Sequence, residues 1–161
     1  MSMLFSAAKV ASLDLKNRIV MSPMRTYSVQ KGDGVINPLH FAHYGARAVE
    51  QVGLVILEMT AVEPRGRTTE HDLGLWNDEQ GKELKRLVDF LHSLGTKVGI
   101  ELGHAGRKAK AEPVPVAPSL VEAYSDEYNE PSALSKPEIK RIQSAFVTAA
   151  KRAKQAGVDL I

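Results

Sequence analysis

With 161 residues and no cysteine, the chain is long enough to bury a core without disulfide or metal staples, and it offers no thiolate for catalysis or zinc. Its 21 Lys and Arg against 19 Asp and Glu are spread along the chain, which excludes the basic footprint of nucleic-acid or membrane-surface binding. The 43% hydrophobic and 25% charged residues are those of a globular protein. With neither a signal-peptide core nor about 18 consecutive apolar residues, a cytoplasmic protein is expected.

Apolar runs and amphipathic segments alternate. Residues 4–15 (LFSAAKVASLDL) read as a short hairpin that plugs the bottom of a barrel or covers a sheet edge. Residues 18–24 (RIVMSPM) are a buried strand closed by Pro23. A first helix follows, with Asn37 as N-cap, Pro38 at the first helical position, and Ala42, Ala46 and Val49 turned inward. Residues 53–61 (GLVILEMTA) form the second strand.

A second helix is capped by Asn77 or Asp78, carries Leu84, Leu87, Val88, Leu91 and Leu94 on one face, and stops at Gly95. The third strand is Lys97–Gly103 (KVGIELG). Residues 105–134 contain Pro113, Pro115, Pro118 and Pro131 and are expected to be mostly irregular. The third helix opens with the capping box Ser135 to Glu138, presents Ile139, Ile142, Phe146, Ala149 and Ala153, and ends at Gly157. Residues 157–161 (GVDLI) begin a fourth strand.

This order predicts an α/β fold, the N-terminal half of a (β/α)8 TIM barrel, with about three and a half βα units after the hairpin. Residues 1–161 would be one partial barrel domain, cut at the start of strand four. A half barrel leaves parallel strand edges without neighbours, so a homo-oligomer or a second half-barrel as partner is expected. A small open doubly wound sheet ranks second, because MSPMRTYS (21–28) stands where that fold needs a Gly-rich phosphate turn.

In such a barrel, chemistry occupies the C-terminal ends of the strands and the loops that follow. Strand one delivers Ser22, Pro23, Met24, Arg25, Thr26 and Tyr27; strand two delivers Glu58, Met59 and Thr60; strand three delivers Glu101, His104, Arg107 and Lys108. Taken singly, each has a structural explanation, core filling for the methionines and charge pairing for Glu101. His40 and His43 share a helix face but lack a third metal ligand, so no metal site is expected. Residues 103–108 (GHAGRK) have the composition of a phosphate-cradling turn without its spacing, and residues 63–67 (EPRGR) read as a solvated loop.

Four strings taken together say more: LKNRIVMSPM (15–24), QVGLVILEMTAVEPRGR (51–67), DLGLWNDE (72–79) and GIELGHAGRKA (99–109). They resemble the old yellow enzyme family, and within it the bacterial NADPH dehydrogenase branch of FMN-dependent ene-reductases, from Leu4 to Ile161. The resemblance implies a (β/α)8 barrel that holds FMN noncovalently at its C-terminal face and takes hydride from NADPH or NADH. The substrates it implies are small α,β-unsaturated carbonyl compounds, reduced at their activated C=C bond.

Position by position, the resemblance places Ser22, Pro23 and Met24 along the flavin and Tyr27 against substrate, while His43 and Tyr44 match a largely structural helix segment. Met59 falls where a small residue usually lies beside the ring, Arg25 where this branch has a cysteine, and Glu101 where the family has a glutamine at the pyrimidine edge. Arg25 and Glu101 are expected to pair, reshaping that site. The family's carbonyl-binding donors follow strand four, and its main phosphate grip lies on strands seven and eight. The resemblance therefore implies an NAD(P)H:flavin oxidoreductase whose isolated 161-residue piece carries no complete catalytic set. The alternative is a catalytically silent half-barrel that self-associates or complements a separate C-terminal half. A phosphate-binding lyase on the same fold is the third reading.

Overall fold

The computed structural model describes residues 2–161. A 3-10 turn, Met3–Phe5, precedes an antiparallel hairpin of β1 (Ala8–Val10) and β2 (Leu13–Leu15), which turns through Ala11 at φ 49°. The hairpin expected over residues 4–15 is thus shorter at its start. Met3 and Phe5 are 76% and 64% exposed.

Four parallel strands make the main sheet: β3 (Val20–Met21), β4 (Leu54–Ala61), β5 (Leu73–Gly74) and β6 (Lys97–Gly103). β4 is central and pairs with β3, β5 and β6, its register with β6 shifting between Leu57 and Thr60. Only two residues of the run expected at 18–24 pair, since Pro23 has no N–H to give a ladder. Leu160 bridges Gly99 in parallel, the opening of a fourth barrel strand. The sheet does not close.

Helices α1 (Pro38–Val49), α2 (Asp78–Ser93) and α3 (Lys136–Gln155) alternate with these strands. Each opens with a capping box, from Asn37, Asn77 and Ser135, which satisfies first-turn N–H groups. Leu84, Leu87, Val88 and Leu91 of α2 are buried as the periodicity requires, and Gly95 takes φ 73° just past the helix. In α3 the stripe is buried at Ala149 and Ala153, while Ile139 near its start is 36% exposed.

α1 departs from expectation. Ala42, Ala46 and Val49 are exposed, and the inward face is His40, Tyr44, Gly45 and Ala48. Two amphipathic rings go inward because a buried carboxylate on β4 meets their polar tips. Gly45 lets Phe90 of α2 approach so closely that a Cβ would lie 2.8 Å from its Cε1. Residues 105–134 are irregular apart from a 3-10 turn, Gly106–Lys108, and a short parallel pair, β7 (Val116–Ala117) with β8 (Ser132–Ala133).

Candidate active site

The C-terminal ends of β3, β4 and β6 bring the residues singled out from sequence to one end of the sheet. Beyond β3, Ser22 is exposed, Pro23 and Arg25 are half-buried, and Met24 and Tyr27 are 53% and 47% exposed. Tyr27 takes φ 51°, a left-handed conformation that a bulky residue adopts only when its surroundings hold it there. Met59 goes the other way: it is 6% exposed and lies flat over β6, where a Cβ on Gly103 would meet its Cγ at 2.6 Å. Glu101 is exposed on β6.

Arg25 and Glu101 do not pair. Among the described residues no ion pair includes either one. The reason is the strand order: β4 lies between β3 and β6, which sets their backbones about 10 Å apart.

Sequence reasoning named Glu58 at the end of strand two without a specific role, and it is fully buried beside this end of the sheet. Its carboxylate accepts from the Thr26 amide at 2.9 Å, the Thr26 hydroxyl at 2.8 Å and the Tyr44 hydroxyl at 3.1 Å. The signal lay in the strand itself, because a carboxylate inside GLVILEMTA must find donors or stay out of the core. Burial pushes the Tyr44 phenol up, reinforced by the Glu58 charge, and it pushes the His40 imidazole down against the opposing pull of Glu58. His43, half-buried with its ring edge-on to Tyr44, is lowered by desolvation and by Arg47. Among the described residues no cluster of three metal-ligating side chains exists.

The segment 63–67 is not the solvated loop its charges suggested. Glu63 and Arg67 are 4% and 7% exposed. Glu63 accepts from Arg65, Arg141 and His104, and Arg67 donates to the carbonyls of Pro64 and Gly32 while lying 5.3 Å from the Trp76 ring. His104 Nδ1 accepts from the Gly106 amide at 3.0 Å, so its proton sits on Nε2 and is donated to Glu63.

A flavin would need an apolar wall, partners for its pyrimidine edge and a cradle for its phosphate. An open cavity of about 720 Å³ runs along β6 and reaches Pro23, Ile56, Glu101 and Leu102. Those residues fit the ring, and the Glu101 carboxylate can accept from the ring N–H but cannot donate to its carbonyls. The phosphate does not fit the turn after β6. Four of its amides are spent, Ala105 on Gly66 O, Gly106 on His104, Lys108 on Ala105 O and Ala109 on Gly106 O.

NADPH dehydrogenases from Listeria welshimeri and Bacillus subtilis are 55% and 45% identical to this chain over 161 and 158 residues, which cover 47% and 46% of their lengths. The chain thus spans about half the length of these curated relatives. Morphinone reductase in complex with tetrahydroNAD aligns at TM-score 0.87 and 31% identity, covering 99% of this chain and 48% of that one. Old Yellow Enzyme from Pichia sp. AKU4542 aligns at 0.89 and 28%, covering 98% and 45%. The model of one family, described as NADH:flavin oxidoreductase / NADH oxidase family, matches residues 3–161. This chain belongs to that family, whose members work with FMN and a nicotinamide cofactor.

Proposed function

We propose that residues 1–161 form one partial barrel domain, the N-terminal half of the flavin site of an FMN-dependent, cytoplasmic NAD(P)H oxidoreductase that reduces activated C=C bonds of α,β-unsaturated carbonyl compounds. One observation carries this reading: Met24 and Tyr27 stand uncovered beside half-buried Pro23 at the end of β3, on the same end of the sheet as Glu101. When bound, the flavin supplies hydride transfer. This chain's share is placement. Ser22, Pro23 and Met24 line the ring, Arg25 and Met59 flank it, Glu101 takes its N–H, and Tyr27 faces substrate. The donors for a substrate carbonyl and for the flavin phosphate come from a second half.

Because four amides of the turn after β6 are already bonded, the phosphate is expected to add little to binding by this chain. Flavin-fluorescence titration of the purified 161-residue chain with FMN and with riboflavin is expected to give weak, equal affinities, and no NADPH oxidation in the presence of an α,β-unsaturated ketone. Absence of saturable binding by either flavin refutes the half-site.

A second reading has its own observation. The cavity along β6 is walled by Ile100, Leu102, Phe146, Val147, Leu160 and Ile161, with Val147 and Ile161 54% and 58% exposed, an apolar surface suited to a barrel-completing partner. That partner is a second copy or a separate half-barrel. A defined dimer in size-exclusion chromatography marks the former.

A further inference from the structure

Glu58 is a fully buried carboxylate beside the candidate flavin face, and nothing in the proposed chemistry uses it. Leaving water costs a carboxylate several kcal/mol unless donors replace the solvent. Its donors here are unevenly placed. One residue, Thr26, supplies two of them: the amide to Oε2 at 2.9 Å and the hydroxyl to Oε1 at 2.8 Å. Tyr44 supplies the third to Oε1, and the same hydroxyl accepts from the Glu58 amide at 3.0 Å, which locks the base of the side chain.

The only ion-pair partner among the described residues is His40, at 3.8 Å. Burial favours the neutral His40 imidazole, whose Nδ1 lies 3.1 Å from both the amide and Oδ1 of Asn37 and whose Nε2 lies 3.5 Å from Thr26 Oγ1. A glutamine at this place has one acceptor oxygen and cannot receive both Thr26 donors on separate oxygens. The carboxylate does what an amide cannot: it clasps a single residue at two points.

Thr26 lies between Arg25 and Tyr27, and Glu58 precedes Met59, so the clasp joins the two stretches that carry the candidate flavin and substrate residues. It also holds the chain next to Tyr27, whose φ of 51° needs such restraint. We propose that Glu58 is the positioning residue of this face, acting through Thr26 to fix where Arg25 and Tyr27 stand. Its consequence for binding rests on the flavin reading above; its geometry does not.

The test compares the 161-residue chain with its Glu58→Gln and Thr26→Val variants, using residue-resolved amide hydrogen exchange and riboflavin titration. In Glu58→Gln the Thr26 amide is expected to exchange about tenfold faster. The amides of Leu75 and Lys97, bonded to Ala61 O and Gly53 O in the sheet, keep wild-type rates. Thr26→Val loses the hydroxyl bond alone and is expected to fall between. Unchanged exchange at Thr26, or equal acceleration at all three amides, overturns the proposal, the second because Glu58 would then hold only the fold. Where the wild type binds riboflavin, Glu58→Gln is expected to weaken it about tenfold and to shift the bound flavin's visible absorption. Unaltered binding and spectrum beside a loosened Thr26 overturn the positioning role. Where the wild type binds no flavin, the half-site reading fails, and the Thr26 exchange alone decides this one.

Discussion

Arg141, near the start of α3, donates to the carboxylate of Glu63, which follows β4, and so fastens the third helix to the end of the sheet where the site lies. Burial would raise the Glu63 carboxyl, but hydrogen bonds from Arg141, Arg65 and His104 outweigh it and hold it at about 2. An unfolded glutamate titrates near about 4.3, above the folded value. The cluster therefore contributes its full stability above the unfolded value and loses it as pH falls toward about 2. Glu63→Gln is expected to cost about 2 kcal/mol at neutral pH, from charge-assisted bonds lost at a buried position. In urea melts the gap between wild type and variant should narrow steadily once the pH drops below about 4.3. A gap independent of pH would show that the carboxylate's charge is not what holds the cluster.

Met59 and Gly103 make a second coupled pair. Met59 lies over Gly103 so closely that an added methyl would sit 2.6 Å from Cγ and 2.8 Å from Sδ. Gly103→Ala must therefore displace a buried side chain, at a cost of about 1 to 3 kcal/mol. Met59→Ala removes the obstacle and leaves a void, so the double variant is expected to be more stable than the two single losses predict. A double-mutant cycle in urea checks this. Additive losses would mean that Met59 swings clear without penalty, and that its flat pose is one of several.

These contacts show why the fold was more legible than the site. The stripe of α2 from Leu84 to Leu91, the Asn37 N-cap and the capping box at Ser135 are written in local spacing, which the chain cannot hide. The face of α1 misled because hydrophobic type pointed to Ala42, Ala46 and Val49. Tyr44 and His40 go inward only because Glu58, 14 or more positions away, satisfies their polar tips. Met59 and Glu101 lie on the strands where the apolar runs put them, but their poses depend on neighbours across the sheet. The expected Arg25–Glu101 pair failed although the strand between them was legible at residues 53–61: what the sequence does not print is the spacing, and β4 between β3 and β6 keeps the two side chains apart.

Glu101 is exposed and, among the described residues, belongs to no ion pair, so its charge can act on whatever occupies the cavity it lines. A carboxylate accepts only, whereas a glutamine both accepts and donates, and so can also serve the carbonyls of a flavin's pyrimidine edge. Glu101→Gln is expected to tighten FMN and riboflavin alike by about fivefold, the worth of about 1 kcal/mol from one added hydrogen bond. Fluorescence titration of both flavins reads this. A gain for FMN alone would place the phosphate, not the ring, beside residue 101.

Asp159 fastens the opening of the fourth strand. Its carboxylate accepts from the Val98 amide at 2.9 Å, Lys97 Nζ at 2.9 Å and His92 Nε2 at 2.6 Å, while its own amide donates to Val98 O at 2.8 Å. Burial works against the charged form, yet the bonds from Val98, Lys97 and His92 hold the carboxyl below its usual range. Two residues on, the Ile100 amide donates to Leu160 O at 3.0 Å, so that bond reports whether residues 157–161 stay docked. Asp159→Asn loses acceptor capacity and charge together and is expected to cost about 1 to 2 kcal/mol. Because the folded value is depressed, the wild-type chain should itself lose this contribution as pH falls below the ordinary aspartate range, while the variant does not. Hydrogen exchange at Ile100 is expected to accelerate in the variant at neutral pH, with the Leu75 amide, bonded to Ala61 O on the far side of β4, unaffected. If Ile100 keeps its wild-type protection, the fourth strand is held by Leu160 and its apolar neighbours, and Asp159 serves only to order α2 at His92.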